Sequence, residues 1–157
     1  MSRAVIENFY AAFARLDGAA MKAAYADNAT FEDPAFRLQG KERVGGMWTM
    51  LTETIRAKGQ DVWKLEVSAI TDSTAHWEPT YRFSATGRMV HNIIDARFVF
   101  DNDGKIVEHV DHFDFWRWSR QALGPAGLFL GWSPMLRKKV QATASRNLES
   151  FLAKRQK

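Results

Sequence analysis

The 157-residue chain contains no cysteine, so it has no disulfide framework, no thiolate nucleophile and no thiolate metal site. Long apolar runs are also missing. The most apolar stretch, Ala122 to Trp132, is too short and too rich in Gly and Pro to span a bilayer, and MSRAVIENFY shows no apolar segment ahead of a small-residue cleavage site. The expectation is a soluble, cytoplasmic protein with no membrane span. There is no internal repeat and no low-complexity segment, which excludes solenoids and disordered tracts. A charge excess is absent from the body of the chain. The net charge of +4 divides into +6 from Gly131 onward and −2 before it, so the basicity belongs to the last helix. That helix reads as a solvated basic face, since no interleaving of basic and aromatic residues accompanies it, and no nucleic-acid partner is expected.

What is present is a core. Apolar residues make up 46% of the chain and aromatics 13%, with six Trp and eleven Phe, enough for one domain with a substantial interior. Ile6, Phe9, Tyr10, Phe13 and Leu16 recur at helical spacing and predict a helix from about Arg3 to Leu16. Asp17 looks like the cap of a second helix through Tyr25, and Ala29 to Asp33 reads as a brief strand stopped by Pro34. A third helix is predicted over Lys41 to Lys58, with Val44, Met47, Trp48, Leu51 and Ile55 on one side.

After Gly59 the period shortens to two. Trp63 to Ala69, His76 to Phe83, His91 to Phe100 and Gly104 to Trp118 each alternate apolar and polar residues, with turns at Thr71 to Thr74, at Thr86-Gly87 and at Asp101 to Gly104. They predict four antiparallel strands in a curved meander, covered on one side by the helices. The last strand, GKIVEHVDHFDFWRW, places Val107, His109, Asp111, Phe113 and Phe115 on one face and Ile106, Glu108, Val110, His112, Asp114, Trp116 and Trp118 on the other. Beyond it, Gly124-Pro125-Ala126-Gly127 breaks the chain and Pro134 opens a final helix with Leu136, Val140, Ala144, Leu148 and Phe151 on one side.

This order, with YADNATFEDP ending at Asp33 and GKIVEHVDHFD containing Asp111, resembles the cone-shaped α+β fold of the nuclear-transport-factor-2-like superfamily. Within it, the chain is similar to SnoaL-like polyketide cyclases and to ketosteroid isomerases. The resemblance covers most of residues 1–124 and implies a cone domain there. Residues 125–157 would form a loop and a basic amphipathic helix packed on that domain or on a partner subunit. It also implies a homodimer, a small hydrophobic ligand inside the cone and acid–base chemistry without a cofactor. Asp33 matches the general base of the isomerases and Asp111 the acid/base carboxylate of the SnoaL-like proteins. The isomerases' two oxyanion donors, however, fall on Phe9 and Ala96, which cannot donate a hydrogen bond. A register slip near Asp95 would exchange Asp95 for Ala96 and restore one.

The candidate catalytic residues are therefore Asp33, Asp111 and His109. Asp33 is either a base at the cone opening or the cap of a turn before proline. His109 and Asp111, two apart on the inward face, either share a ligand or satisfy each other in the core. Asn92, Tyr81 and Trp77 point inward by alternation and offer an amide, a hydroxyl and an indole to a ligand, with Phe9 and Phe113 as apolar wall. For epoxide hydrolysis, Asp111 and Asn92 are the pair that would hold a water. No metal site is expected, because His109 and Asp111 face away from His112 and Asp114. His112, Asp114, Glu78, Arg82, Asp95 and Arg97 read as outer-face charges, with Trp116 and Trp118 as anchors for a second subunit. The leading expectation is an isomerase-like, cyclase-like or hydrating enzyme. The alternative is a binding or assembly module of the same fold.

Overall fold

The computed structural model describes residues 2–155; Lys157, counted above with the basic tail, lies outside them. Helix α1 (Ser2–Ala14) buries Ile6, Phe9, Tyr10 and Phe13 along one stripe. Asp17 caps α2 (Gly18–Ala23) by accepting the Ala20 N–H at 3.0 Å. Helix α3 (Lys41–Lys58) coincides with its predicted span, and Gly46 lets a neighbour come so close that a Cβ there would lie 2.5 Å from Leu152.

The helices cover one curved, open sheet made of β1 (Tyr25–Glu32), β2 (Arg37–Gln39), β3 (Lys64–Ser68), β4 (Thr74–Arg82), β5 (Met89–His91), β6 (Ile94–Phe100) and β7 (Ile106–His112). Their order is β2-β1-β7-β6-β4-β3, with β5 also on β4. The architecture is the expected α+β cone with a C-terminal helix, but the sheet is mixed. β1 runs parallel to β7, with Phe31 beside His109 and Glu32 beside Val110. Local alternation carries no information about that pairing, because the two strands are far apart in the chain.

Three further differences have physical causes. First, the strand expected over His91 to Phe100 divides at Asn92-Ile93. Asn92 donates its N–H to the Pro79 carbonyl at 3.0 Å, but proline has no N–H to return. Second, a register shift at Val99/Phe100 turns Ile106 inward, where strict alternation put Val107. Asp95 stays exposed and Ala96 buried, so the slip considered above does not occur. Third, β7 ends at His112. Asp114 accepts the Arg117 N–H at 3.1 Å and caps α4 (Phe115–Leu123), which buries Phe115, Trp118, Ser119 and Ala122. Trp116 and Trp118 are thus helical, not outer-sheet residues, and Phe113 lies in the link between β7 and α4.

Gly124, at φ 66°, closes α4, and Pro125 begins the short α5 (Pro125–Leu130). The last helix, α6 (Pro134–Arg155), packs on its own chain. Leu148 is buried, Leu152 meets Gly46 of α3, and Arg43–Glu149 and Arg155–Glu53 ion pairs flank the contact. Nearer its start, Val140 joins an apolar cluster with Val90, Phe115, Trp118 and Ala122, and Gln141 Nε2 donates to the Pro34 carbonyl at 3.0 Å. Among the described residues no helix is long and apolar enough to cross a membrane.

Candidate functional site

The site begins in the base of the cone. His109 is fully buried, and the rings of Phe98, Phe31, Phe9, Trp48 and Tyr25 surround it, the nearest with its centroid 4.2 Å away. Its Nδ1 is 2.8 Å from the Tyr25 hydroxyl and its Nε2 is 2.8 Å from Asp111 Oδ1. Trp48 Nε1 donates to the Tyr25 oxygen at 2.8 Å. That bond orders the rest. Tyr25, accepting from the indole, has its own proton to give to Nδ1, so a neutral imidazole carries its proton on Nε2 and donates to Asp111. His109 is thus bonded to Asp111 from within the packed base, and Phe9 belongs to the same base.

Parallel pairing then assembles the upper end. Asp33 follows directly on the last pair, Glu32 with Val110, and lies close enough to Asp111 to feel its charge. Asp33 is partly buried, and its Oδ1 accepts the N–H groups of Ala35 and Phe36, both at 2.7 Å, which fixes the turn after β1. Oδ2 has no partner among the described residues. Burial and the neighbouring charge of Asp111 push the Asp33 carboxyl up to about 7, against the opposing pull of the two N–H groups and of Arg137 on α6. Asp33 is thus both turn cap and perturbed acid.

Around the two carboxyls stand donors. Trp77 Nε1 points to Asp111 Oδ1 at 3.4 Å. Tyr81 accepts the Trp118 indole N–H at 2.9 Å, and burial holds its phenol at about 12. Helical spacing places Tyr10 on an apolar stripe and cannot show where its hydroxyl ends. In the structure that hydroxyl is buried with no partner and feels the charge of Asp111, and burial raises its pKa well above the ordinary value. Asn92 is buried but stands apart. It lies four positions along the chain from Ala96, the residue opposite Asp111, and its Oδ1 accepts the N–H of Ile93. The register does not bring the Asn92 and Asp111 side chains together around one water. Phe113 packs between the main core and the cluster beneath α4.

The outer face of the sheet holds a separate polar chain. His76 bridges Asp95 at 2.8 Å and Glu78 at 2.7 Å, and His91 meets the other Glu78 oxygen at 2.9 Å. These acids, Asp95 first, raise the His76 pKa. Among the described residues no group of three or more His, Cys, Asp or Glu could hold a metal ion.

The model of the SnoaL-like domain matches residues 6–109. None of the curated proteins matches. Among solved structures, an NTF2-like protein from Burkholderia thailandensis is 19% identical with a TM-score of 0.58, over 72% of this chain and 90% of that one. An LEH-like epoxide hydrolase from M. tuberculosis is 20% identical with a TM-score of 0.54, over 86% and 94%. A SnoaL-like protein of unknown function, also from B. thailandensis, is 20% identical with a TM-score of 0.52, over 72% and 93%. At these identities the likeness is one of fold.

Proposed function

The chain belongs to the SnoaL-like domain family, and from that premise we propose that it is a cofactor-independent acid–base enzyme acting on a small hydrophobic substrate. The observation that carries this reading is the Asp33 carboxyl, brought beside Asp111 and pushed up to about 7. Near neutral pH such a group exists in both protonation states, which suits a base that takes a proton from carbon and returns it elsewhere. Asp33 Oδ2 is the proton acceptor. The oxygen that gains charge in the substrate takes hydrogen bonds from the Tyr10 hydroxyl and the Trp77 indole, in place of the donors missing at Phe9 and Ala96. Asp111, oriented by His109, keeps the Asp33 proton in exchange near neutrality. The start of α6, tied to Pro34 through Gln141, shields the pair from water. Isomerisation and cyclisation begin with this proton transfer from carbon; in hydration the same carboxylate would take its proton from the attacking water instead.

The test is hydrogen-to-deuterium exchange in heavy water at the enolisable carbons of a panel of cyclic ketones. Asp33→Asn should slow exchange about 10²- to 10⁴-fold, and Asp111→Asn should shift its pH profile. Exchange that proceeds equally in wild type and both variants would end the reading.

The second reading is a non-catalytic ligand-binding or assembly module of the same fold. The dense ring packing around His109 favours it, since it leaves little space in the base of the cone. It predicts that hydrophobic ligands move the NMR signals of Trp77 and Tyr81 without exchange of any ketone. In either case the homodimer would use the outer sheet face, where Ile93 and Val99 are exposed, and light scattering of Val99→Asp against wild type tests it.

A further inference from the structure

Helix α4 has two working faces. Phe115, Trp118 and Ala122 look inward, with Trp118 on Tyr81, while Arg117, Arg120 and Gln121 look outward. There they meet Arg88 and Met89, from the turn and strand ahead of the chain break at Asn92, and together line an open pocket of about 640 Å³. Three guanidinium groups share it. None has a carboxylate partner among the described residues, whereas Arg82 and Arg97 on the neighbouring strands are paired with Asp61 and Glu108.

Neutral contacts hold these arginines in place. Arg88 Nε donates to the Gln121 carbonyl at 2.8 Å, and its guanidinium lies so flat against Gly124 that a Cβ there would be 3.0 Å from Cζ. Arg120 stacks over the Trp116 ring at 4.0 Å, and Arg117 Nη2 reaches the His91 carbonyl at 3.5 Å. Nε of both Arg117 and Arg120 is buried with no hydrogen-bond partner. A basic residue in the last turn of a helix complements its dipole, which accounts for Arg120 alone. Like charges one turn apart on α4, with a third packed against them, repel each other and raise the local potential. Buried donors without acceptors add to that cost. An anion in the pocket would relieve the repulsion.

We propose that this pocket binds the phosphate or diphosphate group of a phosphorylated small molecule or lipid. One carboxylate satisfies one guanidinium fork, whereas a phosphate or diphosphate presents enough oxygens for three. The pocket is larger than the charged group needs, and the exposed Met89 gives an apolar edge for the body that carries it. Because the forks are already positioned, little ordering accompanies binding. The inference does not rest on the acid–base reading, since the pocket's lining shares no residue with the Asp33 and Asp111 site.

Calorimetric titration of the full chain with inorganic pyrophosphate tests it. One saturable site is expected, weakened about tenfold or more in Arg117→Gln and in Arg120→Gln, and unchanged in Lys138→Gln on the basic α6. If a glutamine variant fails to fold by circular dichroism, Arg120→Lys replaces it. That variant keeps the charge and loses the fork, and it should still bind severalfold more weakly. Sedimentation with phosphatidylcholine vesicles containing phosphatidate separates the two sources. Vesicle binding that pyrophosphate displaces and Arg120→Gln abolishes points to a lipid headgroup; pyrophosphate binding without vesicle binding points to a soluble phosphate ester. Absence of binding to either probe, affinity unchanged in the folded arginine variants, or loss confined to Lys138→Gln would overturn the proposal.

Discussion

The base of the cone and its upper end are built by the same strand, β7, yet they differ in how their polar groups are satisfied. At the base, Trp48, Tyr25, His109 and Asp111 form an unbroken line of hydrogen-bonding groups inside a shell of rings. Beyond that line, the Asp33 carboxyl is pushed up to about 7, and Tyr10, packed on Phe9 and Phe98, has a buried hydroxyl with nothing to bond. The difference teaches where chemistry has room. A satisfied network rigidifies, while groups left without partners next to it are available to a ligand.

Breaking the base should cost the most. His109→Ala removes the partner of both Tyr25 and Asp111 and opens a hole among five rings, so chemical denaturation should show a loss of about 3–5 kcal/mol. A much smaller loss would mean that the line of donors does not organise the base. At the upper end the sign reverses. The Asp33 carboxyl, at about 7 when folded against 3.8 for an ordinary aspartate, holds its proton more tightly in the native state. Its contribution is most favourable below pH 4, is lost progressively as pH rises to about 7, and stays lost above. Asp33→Asn keeps the oxygen that accepts from Ala35 and Phe36, so at pH 8 it should be more stable than wild type by about 2 kcal/mol, and the gain should vanish near pH 4. His76 drifts in the same direction, so the difference between the two proteins across pH is the quantity to measure. The smallest effect belongs outside the comparison. Arg155→Ala removes an exposed ion pair with Glu53 and should change stability by less than about 0.5 kcal/mol, a control for both.

Much of the cone was legible because local signals agree there. In α3 the apolar stripe and the glycines at either end mark the same span, and at Asp101 to Gly104 the turn chemistry is unambiguous. The link after Asp111 was not, because FDFWRW fits two periods at once. It alternates like a strand, while Phe115, Trp118, Ser119 and Ala122 follow helical spacing behind Asp114, a good capping residue. The cap was the signal that decided it. Asp33 and Asp111 were readable as candidates, but their adjacency was not, since it depends on a parallel pairing between distant strands. The neighbourhood of Tyr10 depends on that same pairing. The Arg88, Arg117 and Arg120 pocket was invisible for a related reason: with a strand read through Trp118, Arg117 falls on that strand and Arg120 beyond its end, so nothing brings the two together.

The pairing of β1 with β7 also sets a timetable. Tyr25 and His109 are 84 positions apart, so bringing them together closes one of the longest loops in the chain, and contacts of that span are made late and slowly. During synthesis, α1 to α3 leave the ribosome well before the strand they must enclose. A nascent chain arrested short of Ile106 has the ring-rich wall of the base without its imidazole, and Asp33 without the neighbour that perturbs it. The two carboxylates begin to repel only once the rest of the sheet is in place to hold them.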